Sequence, residues 1–139
     1  MLDVSNEMLR IIYVSNATEH FSSSSLAELL KLAQKNNASL DISGVLAFHD
    51  RAFLQVLEGP SAAVEDVFHR IEVDPRHHHI ILLERAPISA RAFARWAMGW
   101  VEHANLLRTG FDLGTVDPNA PSAGMIRAML LSFERAVAA

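Results

Sequence analysis

Two polar side chains interrupt apolar runs, and both carry groups that can exchange protons or hydrogen bonds. Tyr13 sits in RIIYVS (10–15) and Gln55 in FLQVLEG (53–59). Tyr13 is the only tyrosine in the chain. A phenol can give up an electron and a proton together; a phenylalanine cannot. A glutamine amide carries a donor on one atom and an acceptor on the other, and when buried it needs partners for both. Rotating or tautomerising the amide changes which group bonds to which. One network can then persist in two arrangements of similar energy, which is what a switch requires. The plainer reading is a Tyr–Gln bond that only satisfies two core groups.

A second set of residues would frame a site above this pair. Asn36 and Asn37 end a helical run, and taken alone they are helix caps. Arg70 and Asp74 stand four apart on a second helical run, and taken alone they are a solvated ion pair worth only tenths of a kcal/mol. Leu29 and Ile71 supply apolar walls. Together they outline a gap between two helices, with amides at one end and a guanidinium at the other. That suits a flat heterocycle with polar edges. Trp96, Met98 and Trp100 alternate in FARWAMGW (93–100) and are expected on one face of a strand. Trp100 reads as core packing, and Met98 as an adaptable side chain that can repack. His77 and His79 would share a strand face, but no third ligand is spaced to join them, so no metal site is expected.

The elements that must position these groups follow from the patterning. Arg10–Ser15 reads as a strand, and Asn16–Ser24 as a loop. Ser25 with Glu28 makes a capping box that opens a helix carrying Leu26, Leu29, Leu30 and Ala33 and ending near Asn36 and Asn37. Val45–His49 and Ala52–Glu58 read as strands joined by a tight turn at Asp50 and Arg51, the second stopped by Gly59 and Pro60. Ser61 caps a second helix with Val64, Val67, Phe68 and Ile71 on one face, ended by Asp74 and Pro75. Strands are expected at about His79–Arg85 and Phe93–Val101. Glu102–Pro121 reads as mostly loop. A last helix from about Ala123 shows Ile126, Met129, Leu130, Phe133 and Val137 as an apolar stripe. The order predicts an α+β fold, a ferredoxin-like βαββαβ sheet with a fifth strand and a C-terminal helical cap. Strands one and three would then be neighbours, with Tyr13 and Gln55 as cross-strand partners. Strands apolar on both faces, as at Ile11 and Ile12 or Val56 and Leu57, need cover on both sides. The last helix is the natural second cover, or else a dimer contact.

Composition narrows the function classes. The chain has 139 residues, half of them hydrophobic and a fifth charged, with a net charge of −4. That fits one globular domain. Without a basic block, nucleic-acid binding lacks its main electrostatic source. There are no cysteines, so thiolate chemistry, disulfides and cysteine zinc sites are excluded. No apolar run approaches the ~20 residues of a membrane helix. A cytoplasmic protein without a membrane contact is expected.

The segments RIIYVSNA, KNNASLDISGVLAFHDRAFLQVLEG, VFHRIEVDPRHH and FARWAMGW resemble the motif series of the BLUF family, sensors of blue light using FAD. The resemblance runs from about Arg10 to Val101. It implies a flavin cofactor, FAD, and a role for each matching residue. Tyr13 is the implied electron and proton donor, and Gln55 lies between it and the flavin. Asn37 bonds the carbonyl and ring N–H edge, with Asn36 beside it. Arg70 and Asp74 are polar contacts near the pyrimidine end, and Leu29 and Ile71 sandwich the ring. Arg76 and His77 match an Arg-His element near the ring's polar surroundings. Trp96 and Met98 match a strand-five pair that relays the signal. Ser43 stands where threonine is more usual, and a hydroxyl is kept. The resemblance implies a photoreceptor and not an enzyme, of the short stand-alone type. It would signal to a separate effector protein, and a homo-oligomer is expected. Residues 1–101 would be the flavin-binding core, and 102–139 the capping or contact segment. Two other functions compete. A ferredoxin-like hydrolase needs a cationic, Gly-rich anion cradle near strand one, and NATEHFSSSS (16–25) has neither arginine nor glycine. The other is a non-photoactive interaction module.

Overall fold

The computed structural model describes residues 7–17, 23–75, 77–112 and 123–138. The chain runs β1 (Met8–Ala17), α1 (Ser23–Ser39), β2 (Ser43–His49), β3 (Ala52–Pro60), α2 (Ser61–Glu72), β4 (His77–Ile88), β5 (Gly99–Val101), α3 (His103–Arg108) and α4 (Ala123–Ala138). The strands form one sheet in the order β4-β1-β3-β2-β5. β1 lies antiparallel between β3 and β4, β2 is antiparallel to β3, and β5 runs parallel to β2. This is the expected ferredoxin-like arrangement with a fifth strand. Among the described residues no helix is long and apolar enough to cross a membrane.

The sheet is buried on both faces, as its two-sided apolar strands require. On one face Ile11, Tyr13, Phe53 and Leu57 pack with Val64 and Phe68 of α2 and with Leu26, Leu29 and Ala33 of α1. On the other, Ile12, Val45, Leu54 and Val56 pack with Ile126, Met129, Phe133 and Ala136 of α4. α4 is therefore the second cover. Val137 belongs to its expected stripe, but that side chain lies outside the described set.

Several boundaries differ from the sequence expectation. α1 continues to Ser39, so Asn36 and Asn37 lie inside its last turn and are not caps. Gly59 and Pro60 extend β3 instead of stopping it. Ser61 does not cap α2; its hydroxyl bonds the Glu7 carbonyl at 3.2 Å. Glu102–Pro121 was expected to be loop, yet it contains the short helix α3. β4 is longer than expected, and Pro87 is tolerated because β4 is an edge strand.

The largest correction concerns strand five, which has only three residues. Residues 91–98 form an irregular strap instead. Its polar backbone is satisfied by other parts of the fold and not by a continuous ladder. Ala92 and Phe93 donate their N–H groups to the Glu58 carboxylate at 3.1 and 2.8 Å. The Trp96 carbonyl accepts from Gly44 N at 2.9 Å. The Ala97 and Met98 carbonyls accept from Asn37 Nδ2 at 2.9 Å and Gln34 Nε2 at 3.0 Å. The strap passes from one face to the other, so Trp96 and Met98 do not share a face. Trp96 packs on the α4 side, and Met98 and Trp100 on the α1–α2 side.

The β2–β3 hairpin turns through Asp50 and Arg51, both at positive φ (50° and 69°). A two-residue turn with both φ positive matches the twist of the strands. Gly44 has a different constraint. A Cβ there would meet the Val56 carbonyl oxygen at 1.9 Å. Gly44→Ala is expected to destabilise the fold toward the upper end of the about 1–3 kcal/mol typical of overpacking. The denaturant midpoint at unchanged slope measures it; an unchanged midpoint would mean that β2 moves aside freely.

Candidate functional site

Tyr13 and Gln55 are direct partners in the β1–β3 register. Both are buried, at 1 % and 7 % exposure. The Tyr13 hydroxyl donates to Gln55 Oε1. The other end of that amide, Nε2, points to Met98 Sδ at 3.4 Å. The amide is thus held between a phenol and a thioether, a firm acceptor contact on one side and a soft, polarisable one on the other. Phe68 packs against the phenol ring, centroids 5.5 Å apart.

This pair forms part of the floor of a cavity between α1 and α2, about 850 Å³ counted out to its mouth. An apolar cleft with a few convergent polar groups suits a small-molecule site. Leu46 and Phe53 complete the floor. Leu29, Leu32 and Ala33 of α1 face Val67 and Ile71 of α2 across the opening. Asn36 and Asn37 stand on the rim at the end of α1, and Arg70 and Asp74 on the rim at the end of α2. The gap outlined by the sequence therefore exists, with apolar walls and polar groups on two edges. Asn37 is buried, and its Nδ2 is already committed to the Ala97 carbonyl. Its side-chain oxygen is the half of the amide left for a ligand N–H. Arg70 pairs with Asp66 one turn earlier, at 2.9 Å, with both side chains well exposed. That pair is loose enough for the guanidinium to swing toward a ligand. These features fit a flat heteroaromatic ring with a hydrogen-bonding edge, the description of a flavin.

Not every expected residue joins the cavity. Trp96 faces the α4 side, while Met98 reaches the site through Gln55. Arg76, and the side chain of His77, lie outside the described residues. Among the described residues no cluster of His, Asp and Glu could hold a metal ion. Two contributors went unread in the sequence, Gln34 and Glu58, both of which hold the strap. Gln34 sits on an exposed helix surface and carries no signal. Glu58 does carry one, as a charged residue ending an apolar central strand.

Burial pushes the Tyr13 phenol far above the ordinary tyrosine range, and the Asp74 carboxylate adds to the effect. The proton therefore stays on the oxygen at ordinary pH. The sign for stability follows. A folded-state value raised above the unfolded one leaves stability intact below about pH 10 and erodes it as pH rises further, because the unfolded chain ionises first. Stability should therefore fall above about pH 10, and Tyr13→Phe should flatten that part of the profile. With one tyrosine in the chain, phenolate absorbance reads this group alone. Ionisation near the free-tyrosine value while the chain stays folded would contradict it.

The comparisons with known proteins agree with this geometry. The family model described as "Sensors of blue-light using FAD" matches residues 8–99. A photoactivated adenylate cyclase subunit beta of Euglena longa is 36% identical over 89 residues, 63% of this chain and 10% of that protein. The blue light- and temperature-regulated antirepressor BluF of Escherichia coli is 32% identical over 112 residues, 76% of this chain and 27% of that protein. The chain thus spans about a tenth of the length of the cyclase subunits it matches. Among solved structures, BlrB, a BLUF protein in its dark state, superposes with a TM-score of 0.83 at 26% identity, covering 94% of this chain and 97% of that one. The photo-activated state of BlsA gives 0.79 at 30% identity, covering 91% and 94%. The family match spans the whole cavity-bearing part of the fold, so this chain belongs to the BLUF family, the sensors of blue light using FAD.

Proposed function

We propose that this chain is a blue-light photoreceptor that holds FAD in the cavity between α1 and α2. In this reading Tyr13 is the electron and proton donor, and Gln55 is the element that changes state. The observation that carries the proposal is the buried Tyr13–Gln55–Met98 chain of contacts, whose first two members line the cavity. When bound, the flavin supplies light absorption and an electron acceptor. The residues do the rest. Leu29 and Ile71 wall the ring, Asn37 accepts from its edge, and Asn36, Arg70 and Asp74 fix the polar rim. Arg76 and His77 would add to the polar surroundings of the ring. Tyr13 releases an electron and a proton together, because its buried phenol resists releasing the proton alone. Gln55 then exchanges the places of its two ends, and the contact with Met98 changes with it.

The output follows from the strap. Met98 and Trp96 lie on opposite sides of the sheet, so a change at Gln55 has a covalent route to the α4 side. Residues 1–101 would be the sensor core, and 102–139 the segment that reports its state. A separate effector protein would read that report in the cytoplasm, from a homo-oligomer. Leu107 on α3 and Leu131 on α4 are large apolar side chains left exposed, and they support a contact surface there.

The purified chain should be yellow and shift reversibly to the red under blue light. Tyr13→Phe should keep the flavin and lose the shift, because the ring still packs but has no transferable proton. Gln55→Leu, close in volume, should do the same. A normal reversible shift in either variant would remove that residue from the mechanism.

Asn37→Ala tests the binding edge. It should weaken flavin affinity by about ten- to a hundredfold, the equivalent of about 1–3 kcal/mol for a buried group left unpaired. It should lower stability less, by about 1 kcal/mol for the bond to Ala97. Flavin titration and thermal melting read the two effects separately. Full affinity with a large loss of stability would mean that Asn37 serves only the strap.

A further inference from the structure

Glu58 is fully buried, yet it is a carboxylate at the end of an apolar central strand. By alternation it points to the face opposite Gln55, away from the cavity. Four donor groups from three residues converge on it. Ala92 N and Phe93 N reach its oxygens at 3.1 and 2.8 Å, and Arg10 binds it through Nη2 at 2.8 Å and Nε at 2.9 Å. The two backbone donors open the strap that ends in Met98. At the far end, Asn37 and Gln34 hold the Ala97 and Met98 carbonyls. The strap is therefore tied at both ends, and the Met98 sulfur lies against Gln55 Nε2. Burying a carboxylate is costly unless it is paired and hydrogen-bonded, and here it is both.

We propose that Glu58 is a positioning residue for the photochemical site: it anchors the strap at Ala92 and Phe93 so that Met98 is held against Gln55, and this tension sets the lifetime of the light state. The proposal rests on the photoreceptor reading. With flavin filling the cavity over Gln55, exchanging the ends of its amide requires neighbouring atoms to give way. Of its polar contacts, Tyr13 is embedded in β1 and packed against Phe68, whereas Met98 sits on irregular backbone. Slack in the strap gives the amide room to rotate and so lowers the barrier to thermal return. Arg10 also approaches Glu84 at 3.9 Å, and both line the groove beside α4. The clamp thus places one end of the strap on the face that α4 covers.

The test is the dark-recovery rate of the flavin-loaded chain after blue light. Glu58→Gln keeps the shape but loses the charge and one acceptor, and it should recover about three- to tenfold faster, equivalent to about 0.6–1.4 kcal/mol of barrier. Glu58→Asp keeps the charge at shorter reach and should lie between Glu58→Gln and the parent. The difference spectrum should survive in both. In a Met98→Leu background, Glu58→Gln should change recovery by less than about twofold, since its effect passes through Met98. If the Glu58 variants do not fold, Gln34→Ala loosens the same strap from an exposed helix position and must show the same acceleration. Parent-like recovery in folded Glu58 variants, an unreduced effect in the Met98→Leu background, or parent-like recovery in Gln34→Ala when the Glu58 variants do not fold would each overturn the proposal. A parent that binds flavin without a reversible red shift would instead overturn the photoreceptor reading, and this inference with it.

Discussion

The site depends on the register between β1 and β3. These strands are apolar on both faces, so the alternation that usually specifies register is weak here. Two polar pairs take its place. Tyr13 faces Gln55 on one side of the sheet, and Arg10 faces Glu58 on the other, both as direct partners. A slip by one residue would turn each of these side chains to the wrong face and leave buried polar groups without partners. The same pairing that fixes the strands also places the phenol under the amide. In this strand pair, structural specificity and proposed chemistry reside in the same bonds.

Much of this was readable from residue types and spacing. The element order gave the sheet topology, because two βαβ units sharing a hairpin have few ways to pack. Leu29, Asn37, Gln55, Arg70 and Ile71 were expected around one gap, and all five line the cavity. The strap was not readable. Trp96, Met98 and Trp100 alternate as a strand would, and periodicity alone does not reveal that carboxylate and amide side chains satisfy the backbone there. The extent of α1 was missed for a related reason. Asparagine favours helix ends, but Asn37 is held inside the last turn by a tertiary bond to Ala97.

The strap also runs from one core of the sheet to the other. Phe93 is buried in the core under α4, and Met98 in the core under α1 and α2. The strands join the two cores as well, through neighbours such as Ile11 and Ile12 or Phe53 and Leu54, but their backbone is fixed in the hydrogen-bonded sheet. Irregular backbone is often the softest part of a fold. Here it is held at several points by bonds to α1, β2 and β3. A segment that is irregular and firmly tethered has a small number of allowed positions, which is the property a relay needs.

The helix over the far face has a different kind of freedom. α4 meets the core through a short ladder of apolar side chains, Ile126, Met129, Phe133 and Ala136, while Leu131 is left exposed. Met129 and Phe133 are fully buried, so the inner face tolerates little change of volume. The inner face of the lid is thus constrained by packing, while its exposed side chains are not. In engineering terms the lid is a socket: its outer surface can be rewritten while the cavity side of the sheet stays as it is.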